Sequence, residues 1–191
     1  MPPLPASSPS LTASSSLTAT PTTTPRAGPL RLFVRQPLTR SGPGDRDVVQ
    51  SVVDLATDPG VASGPVTLLP YPAAQHAGTF KEAFTEETGL AFTPAAFRAW
   101  RLGLLDSAHA MLVVRTELSE SGAYEVAYNV HAGPRLPVFF AVHASCPIRT
   151  TLLQDLAPLV DARYHSFTRA GELAGPLHSF LVAARRRGRS A

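Results

Sequence analysis

The residues with the clearest chemical potential stand between two apolar runs in the middle of the chain. Ser119 and Ser121 follow the run at 111–114, and Glu125 comes about one helical turn later, before the run at 137–142. Serine hydroxyls and the free N–H groups of a helix N-terminus together form a ready site for anions such as phosphate. A carboxylate about one turn into the helix can face the same site. The spacing therefore predicts an anion site with a glutamate at its edge.

The flanking pattern predicts the elements that position these residues. The two apolar runs are typical of buried strands, and the apolar residues between them recur at helical spacing. A strand, a helix and a strand in this order form a β-α-β unit with parallel strands, and ligands bind beyond the carboxyl ends of such strands. Glu125 falls outside the apolar helix face, so we expect it to be exposed at the mouth of the crevice.

The stretch Ser119-Glu-Ser-Gly-Ala-Tyr-Glu125, after a strand and before a helix, resembles the signature of nucleoside 2-deoxyribosyltransferases and the related nucleoside 5′-monophosphate N-glycosidases. In that family the glutamate at the position of Glu125 is the catalytic nucleophile that attacks C1′ of the sugar. The monophosphate hydrolases often carry a serine at the position of Ser119, and it contacts the 5′-phosphate. The resemblance covers roughly residues 30–156 and is clearest over 104–142. It implies a further set of substrate-binding residues, namely Ser121, Gly122, Tyr124 and Pro37.

The chain departs from the family pattern at the second acid. The family places an aspartate about two dozen residues before the glutamate, and here that position is Arg101, with Asp106 about a turn away. His109 also stands where the family's strand usually begins Ala-Asp. If Arg101 points into the crevice, it could hold a phosphate group bidentately. Two hypotheses follow: N-glycosidic cleavage or transfer through Glu125, or a catalytically degenerate protein that binds a nucleotide or a partner on the same scaffold.

Apolar runs alternate with helical patterns along the rest of the chain, which indicates an α/β protein. We expect a flavodoxin-like open parallel sheet of about five strands with helices on both faces. Residues 1–29 are rich in Pro, Ser and Thr and are expected to form a disordered tail. Residues 30–184 are expected to form a nucleoside deoxyribosyltransferase-like domain. Residues 185–191 are expected to form a basic C-terminal tail, whose solvation is favoured over contact with nucleic acid.

Composition excludes several classes of site. The formal charge is +3, and sixteen of the 17 basic residues are arginine, a bias that indicates a GC-rich genome rather than a nucleic-acid surface. Cys146 is the single cysteine, so one chain can form neither a disulfide nor a thiolate metal site. The chain has no HExxH pattern and no glycine-rich dinucleotide or triphosphate loop. We therefore expect no metal and no cofactor.

The remaining expectations concern partners and location. No run reaches membrane-spanning length, and the N-terminus has no charged-then-apolar signal pattern. We expect a cytoplasmic bacterial protein whose partner is a small nucleoside or nucleotide, without membrane or nucleic-acid partners. Relatives in the family are dimers or larger, so the resemblance also implies a homo-oligomer.

Overall fold

The computed structural model describes residues 28–36, 43–70 and 80–188. Nearly all of the predicted N-terminal tail, Pro37 and residues 189–191 lie outside the described residues. The described elements are β1 (Leu30–Arg35), α1 (Pro43–Thr57), α2 (Pro59–Ala62), β2 (Val66–Leu69), α3 (Phe80–Thr88), α4 (Pro94–Asp106), β3 (Ala110–Arg115), α5 (Glu120–His131), β4 (Val138–His143), β5 (Ala162–Phe167) and α6 (Ala174–Arg187).

The strands form a single five-stranded sheet in the order β2-β1-β3-β4-β5. All four neighbouring pairs are parallel. This is the flavodoxin-like order, and the predicted parallel sheet of about five strands is confirmed. The chain runs from β1 outward to β2 and then returns to place β3 on the other side of β1. The strand order therefore reverses between β1 and β3, which is where open α/β sheets bind their ligands.

Each face of the sheet is covered by helices with an apolar side. On one face, residues of α1 and α6 such as Val52 and Leu181 pack against Leu32 and Leu112. On the other face, Leu105 of α4 and residues of α5 such as Val126 and Val130 pack against Phe33 and Met111 of the sheet. All six residues of β3 are buried, as expected for the central strand of a two-sided parallel sheet. As a result, α4 and α5 lie on the same face and meet beside the reversal point.

A buried amide fixes the far end of α5. The Asn129 side chain has no exposed surface, donates to the Leu136 carbonyl at 3.1 Å and accepts from the Leu136 N–H at 2.9 Å. These bonds satisfy the backbone of the segment that leads into β4. They tie α5 to the sheet, so the start of α5 is held at the carboxyl edge of the strands.

The C-terminal helix α6 continues to Arg187, past the domain boundary that we placed at residue 184. Arg185 donates to the carbonyls of Ala62 and Gly64, and Arg187 lies 3.0 Å from Asp161. Residues 185–187, which we assigned to the basic tail, belong to the last turn of α6. Arg185 and Arg187 bind backbone carbonyls and a carboxylate of the domain. None of the helices in the described ranges is long and apolar enough to cross a membrane.

Candidate active site

The crevice at the reversal point is bordered by the N-terminus of α5. Ser119 is the N-cap of this helix, and its hydroxyl accepts a hydrogen bond of 3.2 Å from the Gly122 N–H. The predicted helix start is confirmed. The first-turn N–H groups and the positive end of the helix dipole thus lie at the carboxyl edge of β1 and β3, where an anion is favoured.

Glu125 lies between two arginines, and it is buried. Only 6% of its surface is exposed. Its Oε1 accepts a 2.9 Å hydrogen bond from Arg101 Nε, and Arg101 Nη2 lies 2.8 Å from the same oxygen. The expectation of an exposed Glu125 is therefore wrong. Helical periodicity showed that Glu125 lies off the apolar face, but α4 and β1 bring arginines over that position, and both are distant in sequence.

Arg35, the last residue of β1, is the second partner of Glu125. Its Nε lies 3.1 Å from Glu125 Oε2, yet the two groups are not aligned for a hydrogen bond, and neither atom has another hydrogen-bond partner within the described ranges. The pair is therefore held by charge attraction alone. The other nitrogens of Arg35 are bonded: Nη2 donates to Ser119 and, at 2.7 Å, to Ser121, while Nη1 donates to the Gln36 carbonyl.

The local charge balance is positive. Burial lowers the pKa of Arg35 below its ordinary value, and the nearby Arg101 acts in the same direction, whereas Glu125 and Glu117 raise it. Arginine keeps its proton under such conditions, because its pKa starts so high. The charged residues that line the cavity and the space beside Arg35 carry four positive charges against three negative ones, namely Arg35, Arg98, Arg101 and Arg115 against Glu117, Glu120 and Glu125. With the dipole of α5, the crevice favours an additional anion.

Gly122 provides the space in which Arg35 lies. A Cβ at this position would lie 3.1 Å from Arg35 Nε and 3.3 Å from Ser119 Oγ. Both distances are tighter than ordinary side-chain contacts. A side chain at position 122 would push Arg35 away from its partners, so the small residue in the motif has a steric role.

A cavity of about 330 Å³ opens between α4 and α5, next to the ion cluster. This volume is within the range of small-molecule sites. Arg101 and Glu125 form its base, and Ser121 and the exposed Tyr124 stand on the α5 side. Four more residues complete the lining, namely Phe97, Arg98, Leu102 and Glu120. Among the described residues, no group of three or more His, Cys, Asp or Glu could hold a metal ion.

Phe97 gives the cavity a rigid apolar wall. Its ring lies 5.4 Å from that of Phe80, 5.8 Å from that of Phe84 and 5.6 Å from that of Trp100, measured between centroids. Such tilted and edge-on arrangements are favourable for aromatic rings, so the wall is preformed. A ligand in the cavity would therefore lie beside a preformed apolar wall at Phe97.

The structure brings together most of the predicted site residues. Glu125, Arg101, Ser119, Ser121, Gly122 and Tyr124 all lie in or beside the crevice. Pro37 lies outside the described residues. Asp106 does not line the cavity and accepts a 3.0 Å hydrogen bond from the Tyr128 hydroxyl. His109 accepts from the Arg31 N–H at 3.0 Å. Neither residue supplies the acid that the family pattern leads one to expect.

Sequence reasoning missed Arg35, and it also missed Phe97, Arg98, Leu102 and Glu120 in the cavity lining. A signal for Arg35 was present, because it is a charged residue that ends an otherwise apolar strand. In the flavodoxin order, the end of the first strand is adjacent to the end of the third. That adjacency places Arg35 beside Ser119, although 84 residues separate the two.

Comparison with solved structures shows a weak likeness to a glycosidase. No protein-family model matches the chain, and no curated protein matches it. Among solved structures, the CMP N-glycosidase BcmB of Clostridium botulinum aligns with a TM-score of 0.48 and 10% sequence identity, over 78% of this chain and 98% of that chain. A likeness of this degree carries no argument about activity.

The substitution Gly122→Ala should destabilise the protein by about 1–3 kcal/mol, because the added methyl group crowds Arg35 and Ser119 in a packed site. Gly103→Ala is the matched control, since it lies in α4 with open space around its Cβ direction. Alanine favours helices over glycine by up to about 1 kcal/mol, so this control should stabilise the protein. Urea unfolding of both variants measures the two free energies. Stabilisation by both substitutions would contradict the close packing of Arg35 against Gly122.

The substitution Glu125→Gln should destabilise the fold by about 3 kcal/mol or more, because two buried guanidinium groups lose their counter-charge. Glu120→Gln is the control on the same helix, and its exposed carboxylate should contribute at most about 1 kcal/mol through the helix dipole. Chemical denaturation at neutral pH compares the two variants. Equal stability of Glu125→Gln and the wild type would show that the buried ion cluster does not contribute to folding.

Proposed function

We propose that this protein cleaves the N-glycosidic bond of a nucleoside 5′-monophosphate or nucleoside, with Glu125 as the nucleophile. The sugar then passes either to water or to a second base. The observation that carries the proposal is the asymmetry of the Glu125 carboxylate. Arg101 fixes Oε1, whereas Oε2 accepts no hydrogen bond within the described ranges. An oriented carboxylate oxygen with an uncommitted lone pair is what nucleophilic attack on C1′ requires.

The N-terminus of α5 supports a phosphate group on the substrate. A phosphate monoester carries about −1.5 to −2 charges at neutral pH, and the arginine-rich crevice has positive charge in excess. Ser119 and Ser121 can donate from their hydroxyls, and Arg35 lies in contact with both. A guanidinium binds a phosphate through two parallel hydrogen bonds. These groups would anchor the 5′ end and leave C1′ toward Glu125.

The aromatic wall supports a base at the other end of the cavity. Phe97 and Tyr124 line the same cavity as Glu125. A flat base gains stacking energy against an aromatic ring, and the ring discriminates little between bases. Arg98 and Glu120 at the rim can hydrogen-bond with polar edges of the base. A nucleotide therefore matches both the charged and the apolar parts of the crevice.

The reaction takes two balanced steps. A lone pair of Glu125 Oε2 forms a bond to C1′ while the C1′–N bond breaks, and its electron pair leaves with the base nitrogen. The base takes a proton from water, since Arg101 occupies the place of the acid and arginine does not give up its proton. Water, or a second base in transfer, then attacks C1′, and the ester bond to Glu125 breaks. The proton that the attacking group loses neutralises the hydroxide left by the first step. Each step proceeds through an oxocarbenium-like transition state.

The second candidate is a catalytically degenerate protein that binds a nucleotide in the same crevice. The observation that favours it is the position of Oε2, which is buried against Arg35 and closed to solvent. In this alternative Glu125 is only the counter-ion of Arg35 and Arg101. The missing acid at position 101 points the same way.

Release of free base distinguishes the two candidates. The full chain is incubated with the common ribo- and 2′-deoxyribonucleoside 5′-monophosphates, and free base is measured by chromatography. We expect base release by the wild type and a loss of about a thousandfold or more in Glu125→Gln, because the covalent route is closed. The assays are run at a temperature at which circular dichroism shows that the variant is folded. Glu86→Gln is the active control, because Glu86 is exposed on α3 and does not line the cavity. Nucleotide binding without base release by the wild type would establish the second candidate.

A further inference from the structure

Only two of the three guanidinium nitrogens of Arg35 have hydrogen-bond acceptors. Both terminal nitrogens have acceptors, but Nε has none, although it lies only 3.1 Å from a carboxylate oxygen. A buried donor without an aligned acceptor raises the free energy of the structure, because no hydrogen bond replaces the one it made to water. Glu125 Oε2 is an acceptor without a donor in the same position. A ligand that supplies better-aligned hydrogen-bond partners to both atoms would therefore stabilise the site.

Arg101 does not share this asymmetry. Its Nε is hydrogen-bonded to Glu125 Oε1 at 2.9 Å, and its Nη2 lies 2.8 Å from that oxygen. Its guanidinium also packs 4.7 Å from the centre of the Phe33 ring, a favourable cation–π contact. Arg101 is therefore the fixed partner of Glu125, and Arg35 is the partner that can leave.

We propose that Arg35 changes partner when the phosphate group of the substrate binds. Its Nε leaves Glu125 Oε2 for a phosphate oxygen, Arg101 keeps Oε1, and Oε2 is uncovered for attack on C1′. This inference rests on the proposed function and assigns Arg35 as a positioning residue that makes cleavage depend on the phosphate. The protein thereby selects phosphorylated substrates in the chemical step as well as in binding.

The charges of the crevice favour this exchange. The phosphate replaces one misaligned carboxylate contact of Arg35 with aligned, charge-assisted hydrogen bonds to Nε and Nη2. Ser119 and Ser121, which now accept from Arg35 Nη2, can rotate their hydroxyls toward the phosphate without moving the helix. A space of about 30 Å³ beside Arg35, also lined by Gln36, Glu117 and Ser119, leaves room for the guanidinium to shift.

Inorganic phosphate supplied separately tests the exchange. The probes are the common nucleosides without a 5′-phosphate, with inorganic phosphate or with sodium chloride at the same ionic strength. We expect phosphate to accelerate cleavage of the nucleoside about tenfold or more, saturably, and to inhibit cleavage of the matching nucleoside monophosphate by competition. Chloride should do neither. If phosphate only stabilised the fold, it would not raise the rate of nucleoside cleavage and lower the rate of nucleoside monophosphate cleavage.

The variant Arg35→Lys should lose the activation by phosphate, because an ammonium group cannot form the paired hydrogen bonds of a guanidinium. Arg169→Lys is the matched control, since the Arg169 side chain is 88% exposed and lies outside the crevice. That control should respond to phosphate as the wild type does. The Nε–H resonance of Arg35 in a ¹⁵N spectrum, identified by its absence in Arg35→Lys, should shift when inorganic phosphate is added to the wild type.

The outcomes separate the inference from the proposed function. Cleavage of nucleotides, with no effect of phosphate on nucleoside cleavage, would overturn the exchange at Arg35 and leave the proposed function standing. A shift of the Arg35 resonance without acceleration would equally overturn the uncovering of Oε2. If no nucleotide or nucleoside is cleaved, the proposed function fails, and an unmoved Arg35 resonance would then overturn the partner change independently.

Discussion

A carboxylate buried between two guanidinium groups determines how β1, α4 and α5 meet. Glu125 comes from α5, Arg35 from β1 and Arg101 from α4, and all three residues are buried. Removing such charges from water costs several kcal/mol for each ion, and only mutual attraction with good geometry offsets it. Removal of Glu125 would therefore leave two buried guanidinium groups without their counter-charge. The reversal of strand order between β1 and β3 makes this meeting possible, because it places the end of β1 beside the start of α5.

The replacement of an expected acid by Arg101 changes the chemistry of the crevice. An aspartate there would give a proton to the leaving base and would add a negative charge near Glu125. Arg101 instead holds Glu125 Oε1 from 24 residues away in sequence and makes the crevice positive. Under the proposed function, a substrate that carries its own negative charge would gain most from this positive charge. The arginines would then separate the charge of the substrate from that of the Glu125 carboxylate.

The sequence was sufficient to predict the strands and helices and the residues at the start of α5. It was not sufficient to predict which distant residues pack against α5. Strands and helices were predicted well because their signals are local: the buried run of β3 and the cap at Ser119 each act within a few residues. The burial of Glu125 is not local. It depends on Arg35, which lies 90 positions earlier, and on the relative placement of α4, neither of which leaves a mark in the pattern around Glu125. The contacts of the last turn of α6 are not local either, since Arg185 binds carbonyls more than a hundred residues away.

Mass spectrometry of a quenched reaction tests most directly whether Glu125 Oε2 forms the proposed covalent bond to C1′. The protein is mixed with a nucleoside 5′-monophosphate that it cleaves, stopped with acid and digested with trypsin. Cleavage after Arg115 and Arg135 yields the peptide of residues 116–135, which contains Glu125 together with Glu117 and Glu120. Fragmentation of this peptide should locate the added mass of the sugar phosphate on Glu125. Base release without any adduct, or an adduct on Glu117 or Glu120, would contradict the assignment of Glu125 as the nucleophile.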